Sequence, residues 1–389
     1  MKSLFAKWLA AAAAAALFSM LVIQEPAVAA GKKIDHAFVL MTVHASNTAD
    51  FVSELAFKSK VLTRALSNAK TEKAPSANVL QDVELTITQT VGDTGSGTHF
   101  RLEQNGHLWK ESSEERIVLS DQAAALLIRC ATALRNQHYG KLIAWNDAKQ
   151  LLPNKSIFTV TDIESGFSFR VQRRAGSDHA DVQPVTKEDT RIMKQIYNDK
   201  WSWNRKAVLV QAGGEWIAAS MNGMPHGGDG IPENGFSGHS CIHFYLSSTH
   251  KSNVPDLAHQ VMVHKAAGNL PAYFSGLSPA YLAKTFVAVM NHKETGLLRQ
   301  LAIGLSEEKL ASFEAEMESL SSIREELPPK RKRGSRLSDK EYGDALTAEV
   351  ELPVSLERKG HSRQNGKYRF TFKRSSAQSS WHFVDVLTD

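Results

Sequence analysis

The stretch from residue 235 to residue 244 decides how the rest of the chain is interpreted, and it reads Gly235-Phe236-Ser237-Gly238-His239-Ser240-Cys241-Ile242-His243-Phe244. Side chains alternate between the two faces of a β-strand. As a strand, this stretch therefore places His239, Cys241 and His243 on one face. Two residues along a strand rise about 6.6 Å, a separation that cysteine and histidine side chains can close to hydrogen-bonding distance. A thiol beside an imidazole is an activated nucleophile, because the thiolate is the form that attacks.

The composition is that of a folded protein long enough for two or three domains. The chain has 389 residues, of which 42% are hydrophobic and 22% charged, and these values exclude a disordered protein. The formal net charge of +5 suits an anionic envelope polymer. Nucleic-acid binding needs a clustered basic surface, so we expect no nucleic-acid partner. The one dense basic run, residues 330–333, follows two prolines and is typical of a solvated linker, with wall anchoring as the alternative.

The N-terminus has the pattern of an export signal. Lys2 and Lys7 precede an apolar run from Leu9 to Ile23, and an Ala-x-Ala cleavage pattern ends at Ala29. We therefore expect residues 1–30 to be a signal peptide and the protein to be secreted or located in the cell envelope. An uncleaved signal would instead anchor the protein to the membrane, although the run is short for a span of roughly 20 residues. After signal removal we expect no membrane span.

An exported chain with two cysteines can form one disulfide, here between Cys130 and Cys241. We favour two free thiols. Cys130 lies in an amphipathic helical pattern that follows Ser120, where a small buried cysteine is a common core residue. Cys241 is flanked by histidines, so it is the better candidate for chemistry.

The pattern of apolar residues predicts three domains after the signal. Residues 31–155 mix strand and helix signals and form an N-terminal α+β module. Residues 156–269 are dominated by hairpins and form a mainly β catalytic domain, either a β-sandwich or an open barrel. Residues 270–389 form a C-terminal α+β domain with a basic linker near 328–338.

Local signals predict several elements within these domains. The dipeptides Asn105-Gly106 and Gly213-Gly214 predict tight hairpin turns, because glycine supplies the positive φ angles that such turns require. Thr186 predicts the N-cap of a helix from 187 to 197. Apolar residues at helical spacing predict a helix within residues 50–69.

The reactive stretch resembles the signature of the L,D-transpeptidase catalytic domain. In that family a His-Gly pair precedes a Ser/Thr-His-Gly-Cys-hydrophobic-Arg/Asn block on a mostly β fold, and here the corresponding segments are Met224-Pro225-His226-Gly227-Gly228 and Gly238-His239-Ser240-Cys241-Ile242-His243. The resemblance covers residues 157–268. It implies Cys241 as the nucleophile and His239 as its base. It further implies substrate or oxyanion roles for His226, Gly227, Ser240 and His243.

The chain departs from the family pattern at three positions, which makes it a divergent member. Gly238 replaces the usual Ser or Thr, Ser240 replaces the usual Gly, and His243 replaces the usual Arg or Asn. The backbone N–H of Ser240 can still join that of Cys241 in an oxyanion hole if its φ angle is accessible without glycine. His243 keeps a donor but lacks the guanidinium fork, so a different donor-substrate preference is expected.

The resemblance implies a transferase of cell-wall biogenesis that acts on peptidoglycan stem peptides. The Cys241 thiolate would attack the carbonyl that joins the third, diamino-acid residue to D-Ala, forming a thioacyl intermediate. A second stem's amine would resolve this intermediate to a cross-link, and water would resolve it as an L,D-carboxypeptidase does. Neither step needs a metal or an organic cofactor.

Two other classes of function remain open. Six histidines lie within 39 positions around Cys241, and His239, Cys241 and His243 could supply three metal ligands, with His226 or His250 as a fourth. A wall-binding module without turnover is the other alternative, suggested by the three altered motif positions. The pair His179 and Asp181 either faces the same cleft or forms a satisfied polar pair at a strand edge, and we favour the strand edge.

Overall fold

The computed structural model describes residues 36–88, 97–228, 230–249, 254–326 and 342–389. The predicted signal peptide, the basic linker near 328–338 and His250 lie outside the described residues. The chain divides into two compact units. The N-terminal unit runs to His44 and resumes over Val52–His138, and the C-terminal unit comprises Ala45–Phe51 and Tyr139–Asp389. The predicted domain boundaries after residues 155 and 269 remain predictions.

The N-terminal unit is built on a seven-stranded antiparallel sheet with the strand order β2-β1-β4-β5-β6-β7-β3. The long helix α2 buries Leu127, Ala131 and Leu134 along one face, at the spacing expected of a helix that packs on a core. The elements are β1 (Ala37–His44), β2 (Val52–Ser59), α1 (Lys60–Ser67), β3 (Lys70–Lys73), β4 (Val79–Thr88), β5 (Thr98–Glu103), β6 (Leu108–Lys110), β7 (Glu115–Val118) and α2 (Asp121–His138).

The helix predicted within residues 50–69 is wrong over its first half. Residues Val52–Ser59 form β2, and only Lys60–Ser67 are helical. The first half is a strand because it pairs along its whole length with β1, from His44 opposite Val52 to Ala37 opposite Ser59. Pairing with the preceding strand outweighs local helical spacing, since it satisfies backbone N–H and C=O groups of both strands.

The C-terminal unit begins with a closed six-stranded barrel, where the sequence left a sandwich or an open barrel as alternatives. Around the barrel the strands follow the order β10-β13-β12-β11-β8-β9, and every neighbouring pair is antiparallel. The predicted turn at Gly213-Gly214 is confirmed, with φ angles of 60° and 80°. The elements are α3 (Trp145–Leu151), β8 (Ile157–Asp162), β9 (Ser168–Ala175), β10 (Ala180–Pro184), α4 (Lys187–Ile196), β11 (Arg205–Ala212), β12 (Glu215–Asn222) and β13 (Ser240–His243).

Five helices and a four-stranded antiparallel sheet, in the order β14-β15-β16-β17, complete this unit. Phe286 of α7 packs against Phe370 and Phe383 of the sheet, with ring centroids 5.4 and 5.7 Å away. The elements are α5 (Leu257–Ala266), α6 (Leu270–Ser275), α7 (Pro279–His292), α8 (Thr295–Leu301), α9 (Glu307–Ser319), β14 (Leu320–Glu325), β15 (Thr347–Arg358), β16 (Gln364–Lys373) and β17 (His382–Thr388).

The fold is therefore mainly β, with several antiparallel sheets and one barrel, as predicted at that level. Within the described residues, none of the helices combines the length and apolar character required to span a membrane.

Candidate active site

Strand β13 carries Cys241 and His243 and lies between β10 and β12 in the barrel. The predicted strand begins only at Ser240, so His239 precedes it. Cys241 is opposite Asp181 of β10, and His243 is opposite Ser220 of β12. Ile242 belongs to the apolar cluster that fills the barrel. Because successive side chains alternate in direction, Cys241 lies on the face away from that cluster, as the sequence predicts.

The Cys241 thiol contacts His226, with 3.2 Å between Sγ and Nε2. The other ring nitrogen of His226, Nδ1, is 2.9 Å from the Met224 carbonyl oxygen. A carbonyl only accepts hydrogen bonds, so Nδ1 must carry the proton and neutral His226 presents an unprotonated Nε2 to the thiol. This tautomer is the one that can take a proton from sulfur.

His226 reaches the thiol because the chain reverses direction between His226 and His239, which places the two residues side by side. The two residues form an isolated antiparallel bridge, in which each backbone N–H donates to the other's carbonyl at 2.9 and 2.8 Å. Their rings are 4.4 Å apart. The predicted base, His239, thus lies beside the site. The imidazole within hydrogen-bonding distance of the sulfur is that of His226. The base role of His239 remains a prediction that this geometry does not favour.

Two glycines allow this close approach. Gly227 has a φ angle of +71°, and a Cβ atom there would lie 2.4 Å from the His239 ring. Gly238 has a φ angle of +92°, and its Cβ would lie 2.3 Å from the His226 carbonyl oxygen. Positive φ angles and contacts this short exclude side chains. Glycine at 238, where the family has Ser or Thr, is therefore required by the backbone conformation and by the close approach to His226.

Buried polar side chains hold the segment that joins β12 to β13. The Gln183 amide donates to the Gly238 carbonyl and accepts from the backbone N–H of Ile231. The Asn234 amide donates to the Pro184 carbonyl at 2.8 Å, and the Thr190 hydroxyl donates to the Asn234 carbonyl at 2.8 Å. The loop that carries His226 is thereby tied to β10 and α4.

Asp181 lies on the other side of the thiol. Its Oδ1 is 3.7 Å from Cys241 Sγ, 3.2 Å from His179 Nε2 and 3.9 Å from His239 Nε2. The register of β9 and β10 shifts between Asp181 and Val182, and such a bulge re-aims a side chain. The pair His179 and Asp181 therefore faces the candidate site and is not a strand-edge pair.

The environment of Cys241 disfavours a resting thiolate. The residue is 5% exposed. Burial, and then the charge and hydrogen bond of Asp181, hold the pKa of the Cys241 thiol well above its usual value, against a lowering by the side-chain hydrogen bond of Asn222. The thiol is accordingly neutral and would need a base to act as a nucleophile, and His226 is in position to be that base.

His243 lies within a stack of three buried imidazoles. Its ring is 4.3 Å from that of His179 and 3.7 Å from that of His259, with interplanar angles of 14° and 13°. Burial, and then neighbouring imidazoles, hold the pKa of His243 well below its usual value, so the ring is neutral. With 2% of its surface exposed, His243 contacts these rings, and its predicted role toward substrate stays a prediction.

Two sets of side chains in the described residues place potential metal ligands within 4.8 Å of one another: His226, His239 and Cys241, and His179, Cys241 and His243. A ring nitrogen binds a metal along a lone pair in the ring plane. The His179 and His243 rings are stacked and nearly parallel, so one ion cannot lie in both planes. The predicted ligands His239, Cys241 and His243 do not form one set among the described residues.

The remaining predicted residues have simpler positions. Ser240 is buried within β13, an extended strand that does not require glycine. Cys130 and Cys241 are free cysteines, as favoured from the sequence. Cys130 is half-buried rather than a core residue, and burial still raises the pKa of its thiol, which lowers its reactivity.

Two residues near the site were not found from the sequence. Asn222, at the end of β12, lowers the pKa of the Cys241 thiol through its side chain, against the larger effects of burial and Asp181. Trp203 is 49% exposed, and its ring lies 4.9 Å from that of His226. Neither belongs to the motif, and no local pattern marks them, because both reach the site through tertiary contacts.

The chain matches no protein-family model, and no curated protein is significantly similar to it. Function is therefore inferred from the motif and from the geometry of the site.

Proposed function

We propose that this protein is an exported cysteine acyltransferase of the L,D-transpeptidase type that acts on peptidoglycan stem peptides. The observation that carries the proposal is the 3.2 Å contact between Cys241 Sγ and Nε2 of His226, the ring nitrogen that is not bonded to the Met224 carbonyl. A nucleophile within hydrogen-bonding distance of a base, with the base oriented by a third group, is the arrangement of covalent acyl-transfer catalysis. Here the third group is the Met224 carbonyl.

The first half of the reaction forms a thioester. Cys241 Sγ attacks the carbonyl carbon between the diamino acid and D-Ala, and His226 Nε2 takes the thiol proton. The carbon–nitrogen bond then breaks, and the imidazolium of His226 gives the same proton to the departing D-Ala nitrogen. The stem remains bound to sulfur as an acyl group.

The second half releases the acyl group. An amine of another stem, or water, attacks the thioester carbonyl while His226 takes one proton from it. The carbon–sulfur bond breaks, and the thiolate recovers a proton from His226. A backbone N–H at Ser240 remains the candidate for stabilising the oxyanion in both halves. The outcome is a cross-link with an amine and a shortened stem with water.

The proposal is tested by mass spectrometry of muropeptides from peptidoglycan that contains tetrapeptide stems. Wild-type protein should release D-Ala and yield either cross-linked dimers or tripeptides, and Cys241→Ala should yield neither. His226→Asn should lower the rate by roughly 10²–10⁴-fold, the usual contribution of a general base. His239→Asn keeps the fold of the bridge and should lower the rate by about tenfold or less.

Three results would contradict the proposal. Turnover by Cys241→Ala would exclude the thiol as nucleophile. Stoichiometric zinc that survives dialysis, together with unchanged muropeptides, would indicate a His/Cys metal-binding envelope protein. Binding to peptidoglycan with unchanged muropeptides would indicate a non-catalytic wall-binding module.

A further inference from the structure

A buried carboxylate faces the candidate nucleophile, which is unexpected for a residue that must form an anion. Asp181 is 6% exposed, and the Cys241 thiol donates toward its Oδ1 at 3.7 Å. The same thiol has the His226 imidazole at 3.2 Å on its other side. Sulfur therefore has two acceptors for a single proton, an imidazole nitrogen and a carboxylate oxygen.

The strand register sets the position of this carboxylate, because Asp181 of β10 lies directly opposite Cys241 of β13. The His179 ring lies beside it, with Nε2 3.2 Å from Asp181 Oδ1. Nδ1 of His179 is 2.9 Å from the Ser248 carbonyl oxygen, to which it donates, and the ring is stacked on His243. The distance between Asp181 and Cys241 is therefore a property of the barrel.

Titratable groups surround Asp181 and Cys241 from every adjoining element. His226 and His239 belong to the loop before β13, His243 to β13 itself, and His179 to the segment before β10. Arg173 of β9 carries a positive charge that interacts with Asp181, but its guanidinium also donates to the carbonyl oxygens of Leu152 and Gly176. His259, Asp256 and Arg205 act on His243. Asp181 is the acidic group among them that contacts the sulfur.

We propose that Asp181 is a positioning residue that keeps Cys241 a neutral thiol, with the proton directed away from the base, until a bound substrate makes transfer to His226 favourable. The inference rests on the proposed function only in taking Cys241 as the nucleophile. A thiolate 3.7 Å from a buried carboxylate is repelled, because two like charges interact strongly where water is excluded. A neutral thiol reacts slowly with oxidants and stray electrophiles, so the arrangement protects an exported nucleophile between turnovers.

The test is the pH dependence of Cys241 alkylation by iodoacetamide, read by peptide mass spectrometry so that Cys130 is followed separately. Asp181→Asn should move the midpoint of alkylation down by about one pH unit and raise the rate at pH 7 about tenfold. Asp178→Asn removes a carboxylate three positions earlier and should leave the midpoint unchanged. Asp181→Glu retains the charge and should retain the wild-type midpoint.

An unchanged midpoint in Asp181→Asn would overturn the proposal, and so would an equal fall in Asp181→Glu, which would report disruption of the barrel. Whether or not Asp181→Asn folds, a wild-type Cys241 midpoint at or below that of the same thiol in urea would also overturn the proposal. Alkylation needs no peptidoglycan. Failure of stem-peptide turnover would therefore leave this result standing, and the two proposals fail separately.

Discussion

Gly238 occupies a backbone position that other residues cannot adopt without cost. Its φ angle is +92°, and a Cβ would lie 2.3 Å from the backbone oxygen of His226. Gly238→Ala should therefore cost about 1–3 kcal/mol of unfolding free energy. It should also displace His226 from the thiol, and a misplacement of about 1 Å can cost roughly 10²-fold in rate.

The measurement is urea unfolding together with stem-peptide turnover. Gly228 provides the matched control, since a Cβ there meets no atom within 4 Å. Gly228→Ala should keep both the stability and the turnover rate of the wild type. Equal behaviour of the two variants would mean that the close approach at Gly238 does not position His226.

The sequence locates the candidate nucleophile better than the residues that contact it. Cys241 stands out because strand alternation and the motif select the same residue. The spacing of two favours His239 as the base, whereas the 3.2 Å contact comes from His226, fifteen positions earlier. Asp181 faces the thiol because a β-bulge follows it. A chain reversal and a bulge depend on tertiary contacts, which no spacing along the chain encodes.

Helix α4 links local sequence signals to the site. Thr186 accepts from the Asp189 backbone N–H, and the Asp189 carboxylate accepts from the Thr186 backbone N–H, which completes a capping box. One turn later, Thr190 donates to the carbonyl of Asn234 in the loop before β13. The first turns of α4 are thereby hydrogen-bonded to the loop before β13, so loss of the helix start would also loosen that loop.

Thr186→Ala should lower the unfolding free energy of the C-terminal unit by about 1 kcal/mol, the usual loss for an N-cap. Thr186→Ser keeps the accepting oxygen, so its unfolding free energy should fall by only a few tenths of a kcal/mol. Urea unfolding followed by tryptophan fluorescence measures both. A loss in the serine variant as large as in the alanine variant would show that the threonine methyl group, and not the cap, supplies the stability.

Elements were predictable where their signal is local. The cap at Thr186 and the turn at Gly213-Gly214 each depend on a few adjacent residues, and both are confirmed. The prediction of a helix over the residues of β2 is wrong because apolar spacing within the segment does not register its pairing with the preceding strand, β1.

Buried neutral histidines in both units make the folded protein less stable at acidic pH. Burial lowers the pKa of His264 and of His292, in the C-terminal unit, and of His138, in the N-terminal unit, to about 4. An unfolded histidine titrates near 6.5. Above that pH both states are neutral and these groups have no effect. As the pH falls from 6.5 to about 4, the unfolded state takes up protons that the folded state does not, so stability is lost across this window.

The prediction is tested by replacing one of these groups with a ring that does not titrate. His264 stacks on Tyr273 with 4.0 Å between ring centroids, and His264→Phe should retain this contact. Each fully linked histidine contributes about 1.4 kcal/mol of lost stability per pH unit, so the variant should lose roughly 1–3 kcal/mol less than the wild type between pH 7 and pH 4. The exposed His361 serves as the control, because His361→Gln should leave the slope unchanged. An identical slope in His264→Phe and wild type would mean that His264 takes up its proton in the folded protein, and the stack with Tyr273 would then have to accommodate a charge.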